Sequence, residues 1–322
     1  MTRRALAALS LALCPSACVY DVELVRGQPV TGDDAGVTAW RAVESGVTQG
    51  LRAVWGSGPS DVWAVGDGGV ALHWDGARWT TVATGVTATL YGVWVRGPRD
   101  AWAVGGDASG PVALRYDGAR WSQVTVPARD REPFRAVWGD ADREVWVAGG
   151  DADDGDPPAW EWDGSQWHAE SFGGSLSPAL TAVAGGPSDD DLWFATAGPL
   201  AFHKVRGASP TSTSAPGGAR FGGALCVTPA GGAWATSEGA TVFRYESTAW
   251  VATAPPATAP LRGVWCGATT VWAVGDRGQT ARWSDGQWRA ESAPDVSLSA
   301  VWSDGSVAWA VGARGAVLRL GP

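Results

Sequence analysis

The sequence predicts an all-β fold, a seven-bladed β-propeller of four-stranded antiparallel blades. Three observations carry that prediction: a tryptophan-rich unit that recurs, the spacing of its recurrences, and a strand that is missing at one end of the chain and present at the other. The segment DVWAVGDGGVALHWDGARW (61–79) returns as RDAWAVGGDASGPVALRYDGARW (99–121), REVWVAGGDADDGDPPAWEWDGSQW (143–167) and TVWAVGDRGQTARWSDGQW (270–288). The first strand of each unit carries its mark at Trp55, Trp94, Trp138, Ala184, Cys226, Trp265 and Trp302, spaced by 39, 44, 46, 42, 39 and 37 residues. Units of this period built from short strands form blades around an axis, whereas a parallel β-helix needs a much shorter repeat.

From the N-terminus, Arg3 and Arg4 precede an apolar run, Ala5 to Leu13, and Ser16-Ala17 precede Cys18. That layout is an export signal over residues 1–17. The small residues before Cys18 resemble the lipobox of bacterial lipoproteins, although Pro15 stands where that family has Leu. The resemblance implies that Cys18 is acylated and becomes the mature N-terminus, a lipid anchor; plain secretion is the rival. Residues 18–38 read as the lipidated cysteine and a tether rich in charge, Gly and Pro. Residues 39–322 form one propeller domain, because a ring of small sheets is one closed unit at any length.

Within a unit, Ala53 to Gly56 is the first strand, VWAVG the second and ALHW the third, and Asp75-Gly76 turns the chain into the fourth, RWTTV. Each run is short, rich in Val and Trp and bounded by Gly, Asp or Pro. The blades are expected near 51–84, 90–126, 134–171, 180–215, 221–253, 261–292 and 298–320, the last completed by 39–45. The last unit ends three strands in, and Ala39 to Val43, around Trp40, has the look of the missing fourth strand. Pairing the two closes the ring and removes an exposed edge. In the fourth unit the DGxxW turn is absent, and ASPTSTSAPGG (208–218) is read as replacing the fourth strand.

The tryptophans recur with the repeat, Trp160 excepted, and are read as filling the wedges between blades. The position before the third-strand aromatic, or its equivalent where Lys204 and Leu320 replace the aromatic, is polar in every unit: His73, Arg115, Glu161, His203, Arg244, Arg282 and Arg319. Seven copies argue against a catalytic use; stacking of each plane on a ring of a neighbouring blade is expected instead. The D-G turn suits a tight hairpin, with the carboxylate accepting local N–H groups and Gly at positive φ.

The string RYDGARW (Arg115 to Trp121), preceded by AWAVG, resembles tectonin-type propeller repeats and, with one residue fewer between Asp and Trp, the Asp-box hairpins of sialidases. The first resemblance implies glycan binding at loop ends without chemistry. The second implies glycoside hydrolysis by an arginine triad, a tyrosine nucleophile and acidic partners. The expected arginine motif near the first blade is absent, and Tyr91 alone is irregularly placed. The three histidines have no serine elbow near them, so no catalytic constellation emerges.

Removing Arg3 and Arg4 from 24 basic residues leaves 22 against 33 acidic side chains, a net of −11, which excludes a nucleic-acid partner. Cys226 and Cys266 remain outside the leader. Either they bridge neighbouring blades as a disulfide in an oxidising compartment, or they are two buried thiols. The connections after the second strand place Asp67, Asp107, Asp151, Asp153, Asp154, Asp156 and Asp276 on one face, with Glu238, as an acidic rim. The run DADDGD (151–156) superficially resembles a calcium loop but departs from its spacing and lacks the distal Glu. No cofactor is therefore expected, with calcium on that rim as the alternative. The sequence reading is an exported, monomeric, non-catalytic binding propeller that recognises glycans at the cell envelope. A protein-interaction scaffold or envelope assembly factor is the alternative, and a sialidase-like hydrolase the second.

Overall fold

In the computed structural model, which describes residues 39–128, 132–140, 144–150, 158–172, 179–186 and 191–321, the seven units are seven four-stranded antiparallel sheets. Six of the sheets take their strands in chain order. Blade 1 consists of Leu51–Gly58, Asp61–Gly66, Ala71–Trp74 and Trp79–Thr81, running from the inner strand at the axis to the outer edge. The marks predicted for the inner strands sit in one register throughout: Trp55 opposite Trp63, Ala184 opposite Trp193, Cys226 opposite Trp234 and Trp302 opposite Trp309. Cys18, Asp151, Asp153, Asp154 and Asp156 lie outside the described residues.

The ring closes through the N-terminal strand. Arg41–Val43 pairs antiparallel with Val317–Leu320, Arg41 opposite Arg319, and supplies the outer strand of blade 7. Just before it, the Trp40 N–H donates to the Ser292 carbonyl of blade 6 at 2.9 Å.

The core lies between the blades, built on the second-strand indoles; Trp63, Trp102, Trp146, Trp193 and Trp309 are fully buried. The outer-strand Trp of the following blade meets such an indole edge to face: Trp121 on Trp63, Trp167 on Trp102, Trp250 on Trp193, Trp288 on Trp234 and Trp79 on Trp309, at centroid distances of 5.1 to 6.0 Å. Trp40 makes the same contact on Trp272 at 5.5 Å, so the closing strand brings the repeat's own packing with it. Edge-to-face geometry sets the positive ring edge on the negative ring face and adds about 0.5–1.5 kcal/mol per pair beyond burial.

Six of the seven periodic polar residues stack on the indole of their own blade, where a neighbour's ring was expected. Each is the cross-strand partner of the second-strand Trp: His73 opposite Trp63, Arg115 opposite Trp102, Arg319 opposite Trp309. Directly opposed side chains in an antiparallel pair lie close enough to touch, which selects the ring within the sheet. The guanidiniums of Arg115, Arg244, Arg282 and Arg319 lie 5.5 to 5.7 Å from those ring centroids. Arg244 also reaches Trp283 of the next blade at 5.7 Å. Blade 3 has Glu161 there, and Lys204 of blade 4 covers Trp146 instead, at 5.7 Å, while paired with Glu170 at 2.8 Å.

Blade 4 corrects a second expectation. Thr211–Ser214, inside the segment read as replacing the outer strand, is that strand and pairs with Leu200–Val205. Alternating Thr and Ser satisfy the backbone ladder without an aromatic, so the Trp pattern is lost while the strand survives.

At the far end of the axis, the inner-strand Trp of one blade lies against the residue after the equivalent Trp in the next. A Cβ on Gly56 would stand 2.8 Å from Trp302, on Gly139 2.7 Å from Trp94, and on Gly185 2.3 Å from Trp138. Glycine is required there because an indole takes the space. Between blades 5 and 6 both residues are cysteines, and Cys226 and Cys266 form a disulfide with their Cα atoms 5.6 Å apart.

Candidate functional site

Each inner strand breaks its alternation at a point shared by all seven blades. Three residues before the Trp mark the register slips, in blade 1 between Leu51 and Ala53, in blade 2 between Leu90 and Gly92, in blade 3 between Phe134 and Ala136. The same slip recurs in blades 4, 6 and 7, and over a longer span, Phe221 to Leu225, in blade 5. A bulge re-aims the residue that is left unpaired. Those residues are Arg52, Tyr91, Arg135, Thr181, Gly223, Arg262 and Ser299, and all seven line a 670 Å³ cavity at the axis.

The cavity wall is completed by the turns after the second strands, which bring in Asp67, Asp276, Ala313 and Arg314. Among the described residues the mouth thus holds four arginines against two aspartates, a basic centre in a chain of net charge −9. Asp67 accepts from Arg52 Nε at 2.8 Å and Nη2 at 3.0 Å, and Asp276 accepts from Arg262 Nη2 at 2.8 Å. Both guanidiniums are raised in pKa, first by the hydrogen bond to their aspartate. Both pairs are half exposed, so they orient the arginines more than they stabilise the fold. The Arg135 guanidinium instead lies 4.5 Å from the centroid of the Tyr91 ring.

Of the acids singled out in the sequence, the structure brings Asp67 and Asp276 together at the mouth. Asp107 lines a separate 340 Å³ cavity toward the rim, where its carboxylate accepts from the Ser109 N–H at 2.7 Å. Glu238 pairs with Arg220 at 2.7 Å beside a third cavity. Among the described residues no group of three or more His, Cys, Asp or Glu is placed to hold a metal ion, and no helix is long and apolar enough to cross a membrane. The opposite end of the axis is a 460 Å³ cavity lined by Trp55, Trp94, Trp138, Trp265 and Trp302.

The arginines at the bulges escape a search for repeats because their column holds five residue types in seven blades. The available signal was positional: each stands one residue after a buried Leu or Phe and three before the Trp mark, where strict alternation fails.

No protein family and no curated protein matches the sequence. Solved structures match the fold. YCF48 bound to D1 peptide superposes with a TM-score of 0.69 at 16% identity, over 89% of this chain and 99% of that one. YCF48 from Cyanidioschyzon merolae gives 0.68 at 19%, over 88% and 99%. The catalytically inactive virginiamycin B lyase from Staphylococcus aureus with quinupristin gives 0.73 at 13%, over 88% and 99%. The likeness is that of a seven-bladed ring, and it spans both a peptide-bound protein and a lyase.

Proposed function

We propose that this chain is an exported protein-interaction propeller that holds an anionic polypeptide segment over the basic mouth of its ring. The observation that carries the reading is the placement of Arg52, Arg135 and Arg262 at one bulge position, all on the wall of the central cavity. A local reversal of charge on an acidic protein guides an anionic partner to one place and repels it elsewhere. The peptide held by one fold neighbour supports the use of such a ring for protein recognition. The disulfide supports export, since such bonds persist in oxidising compartments.

Glycan binding in the tectonin manner calls for ring faces open at loop ends, and the second-strand indoles are enclosed between blades. Hydrolysis in the sialidase manner has one observation in its favour, since arginines, Tyr91 and carboxylates do meet at the mouth. It needs a free acid beside the tyrosine, however, and Asp67 and Asp276 are engaged by Arg52 and Arg262.

Parallel screening of the purified protein on a random-peptide array and a glycan array, with and without calcium, tests the reading. Acidic peptides are expected to bind, glycans to stay silent, and Arg135→Glu to weaken peptide binding by about tenfold or more, as loss of a charged hydrogen-bond donor does. A glycan signal that persists in Arg135→Glu, or release of sugar from a glycoside, would overturn it.

A further inference from the structure

Blade 7 departs from the mouth pattern in a specific way. In blades 1 and 6 the bulge arginine is clamped by the aspartate of its own blade's second turn, Arg52 by Asp67 and Arg262 by Asp276. In blade 7 both partners are replaced, the arginine by Ser299 and the aspartate by Ala313. What remains is a niche walled by Ser297, Leu298, Ser299 and Ala313, on the blade that stands between the two Arg–Asp pairs. Arg314 stands on its lip, exposed, at φ 57. No carboxylate among the described residues pairs with Arg314. The same holds for Arg135 in blade 3, on the far side of the mouth, whose guanidinium lies over the Tyr91 ring.

Resting on the reading that the mouth takes an anionic polypeptide, we infer that its ligand is an acidic segment with at least two carboxylate side chains. One enters the blade 7 niche to meet Arg314 and the Ser299 hydroxyl, and the other meets Arg135. The charge count requires two: Asp67 and Asp276 already neutralise two of the four arginines, and the two left over stand on blades separated around the ring. A single chain-terminal carboxylate reaches one of them. A segment laid across the opening reaches both, and the second contact is made at high effective concentration once the first has formed. Ser299 and Ala313 also stand where blades 1 and 6 carry an Arg–Asp pair, so the side-chain volume that fills this place in those blades is absent here.

Fluorescein-labelled, C-terminally amidated Gly/Ser peptides carrying no, one or two glutamates, the pair spaced from one to eight residues apart, provide the test by anisotropy. At the best spacing the two-glutamate peptide is expected to bind at least tenfold more tightly than the one-glutamate peptide. Arg314→Gly, which installs the residue that blade 1 carries at this turn, Gly68 at φ 69, is expected to reduce it to the one-glutamate level. Arg135→Gln should do the same, and the double variant should bind neither. Ser299→Arg with Ala313→Asp writes the pair of blades 1 and 6 into blade 7; it should fold and melt as the parent does while losing the second-glutamate gain. Unchanged two-glutamate binding in that niche-filled variant, with Arg135→Gln still weakened, would overturn the niche and leave the basic mouth standing. No binding of any glutamate peptide to the parent protein would overturn both. Equal competition by a single-stranded oligonucleotide would overturn the carboxylate assignment.

Discussion

Asp75, Asp117 and Asp163 each cap a hairpin turn with one oxygen. Asp75 Oδ1 accepts from the N–H groups of Ala77 at 2.8 Å and Arg78 at 2.9 Å, and Asp117 repeats this with Ala119 and Arg120. Asp163 does so with Ser165 and Gln166 and adds His168 at 2.7 Å. Donors aimed at the ionised form depress all three pKa values, through the backbone N–H groups at Asp75 and Asp117 and chiefly through His168 at Asp163. A folded-state pKa below the unfolded value gives stability that is fully present above the ordinary aspartate pKa of about 3.9 and is lost as pH falls through the depressed values. The urea midpoint is therefore expected to fall as the pH drops below about 4, and the Asp75→Asn, Asp117→Asn, Asp163→Asn variant, which keeps an acceptor oxygen but no titration, to show a flatter profile. Equal slopes for the two proteins would refute this. The D-G-x-x-W string made these turns legible in the sequence. Blade 6, with the same spacing between its tryptophans but its Asp-Gly one place later, solves the same problem differently, with Asp285 at φ 53 and Gly286 at φ 77 in a two-residue turn.

At the scale of the strand, the informative unit is the seam between inner strands. Trp302 on Gly56, Trp94 on Gly139 and Trp138 on Gly185 pair a large residue with none, and Cys226–Cys266 replaces that pairing by a covalent bond at the blade 5–6 seam. The bond closes a loop of 40 residues, for which chain entropy gives about 4 kcal/mol. Cys226→Ala with Cys266→Ala should lose about that much in a denaturant titration. Cys226→Trp with Cys266→Gly rebuilds the seam used elsewhere; it should recover a substantial part of the loss and, unlike the parent, melt identically with and without reductant. Failure of that variant to gain over the double alanine would show that the seam is not modular. The sequence aligned Cys226 with Trp55 and Cys266 with Gly56 but left bridge and thiols equally open. Only the approach of one blade to the next decides between them, and no repeat alignment contains that distance.

For the whole molecule, the closing strand carries the same contact as every other outer strand that holds a tryptophan. Trp40 is 3% exposed and meets Trp272 edge to face, as Trp79 meets Trp309. Trp40→Ala is expected to cost about 3–5 kcal/mol, the range for a buried tryptophan. Loosening Arg41–Val43 would also bare the edge of Val317–Leu320, so concentration-dependent association should accompany the lower melting temperature. A variant that melts with the parent and stays dispersed at high concentration would count against closure by this strand.

The ring is legible in the residues alone: blade number, strand order, the strand around Trp40 that locks it, and most of the turns. The strand pattern recurs in like residues from blade to blade, because every blade meets the same packing problem and most solve it with the same side chains. The features that depend on the folded ring lie where blades converge or differ: the fold set what the repeat left open. It chose the own-blade indole over the neighbour's for Arg115 and its equivalents, and it kept an outer strand in blade 4 out of Thr and Ser. It joined Cys226 to Cys266. It also gathered Arg52, Arg135, Arg262 and Arg314 from four blades into one basic mouth. Residues some 50 to 130 positions apart share no local signal, and a bulge that turns one side chain toward the axis acquires its meaning only when the ring closes around it.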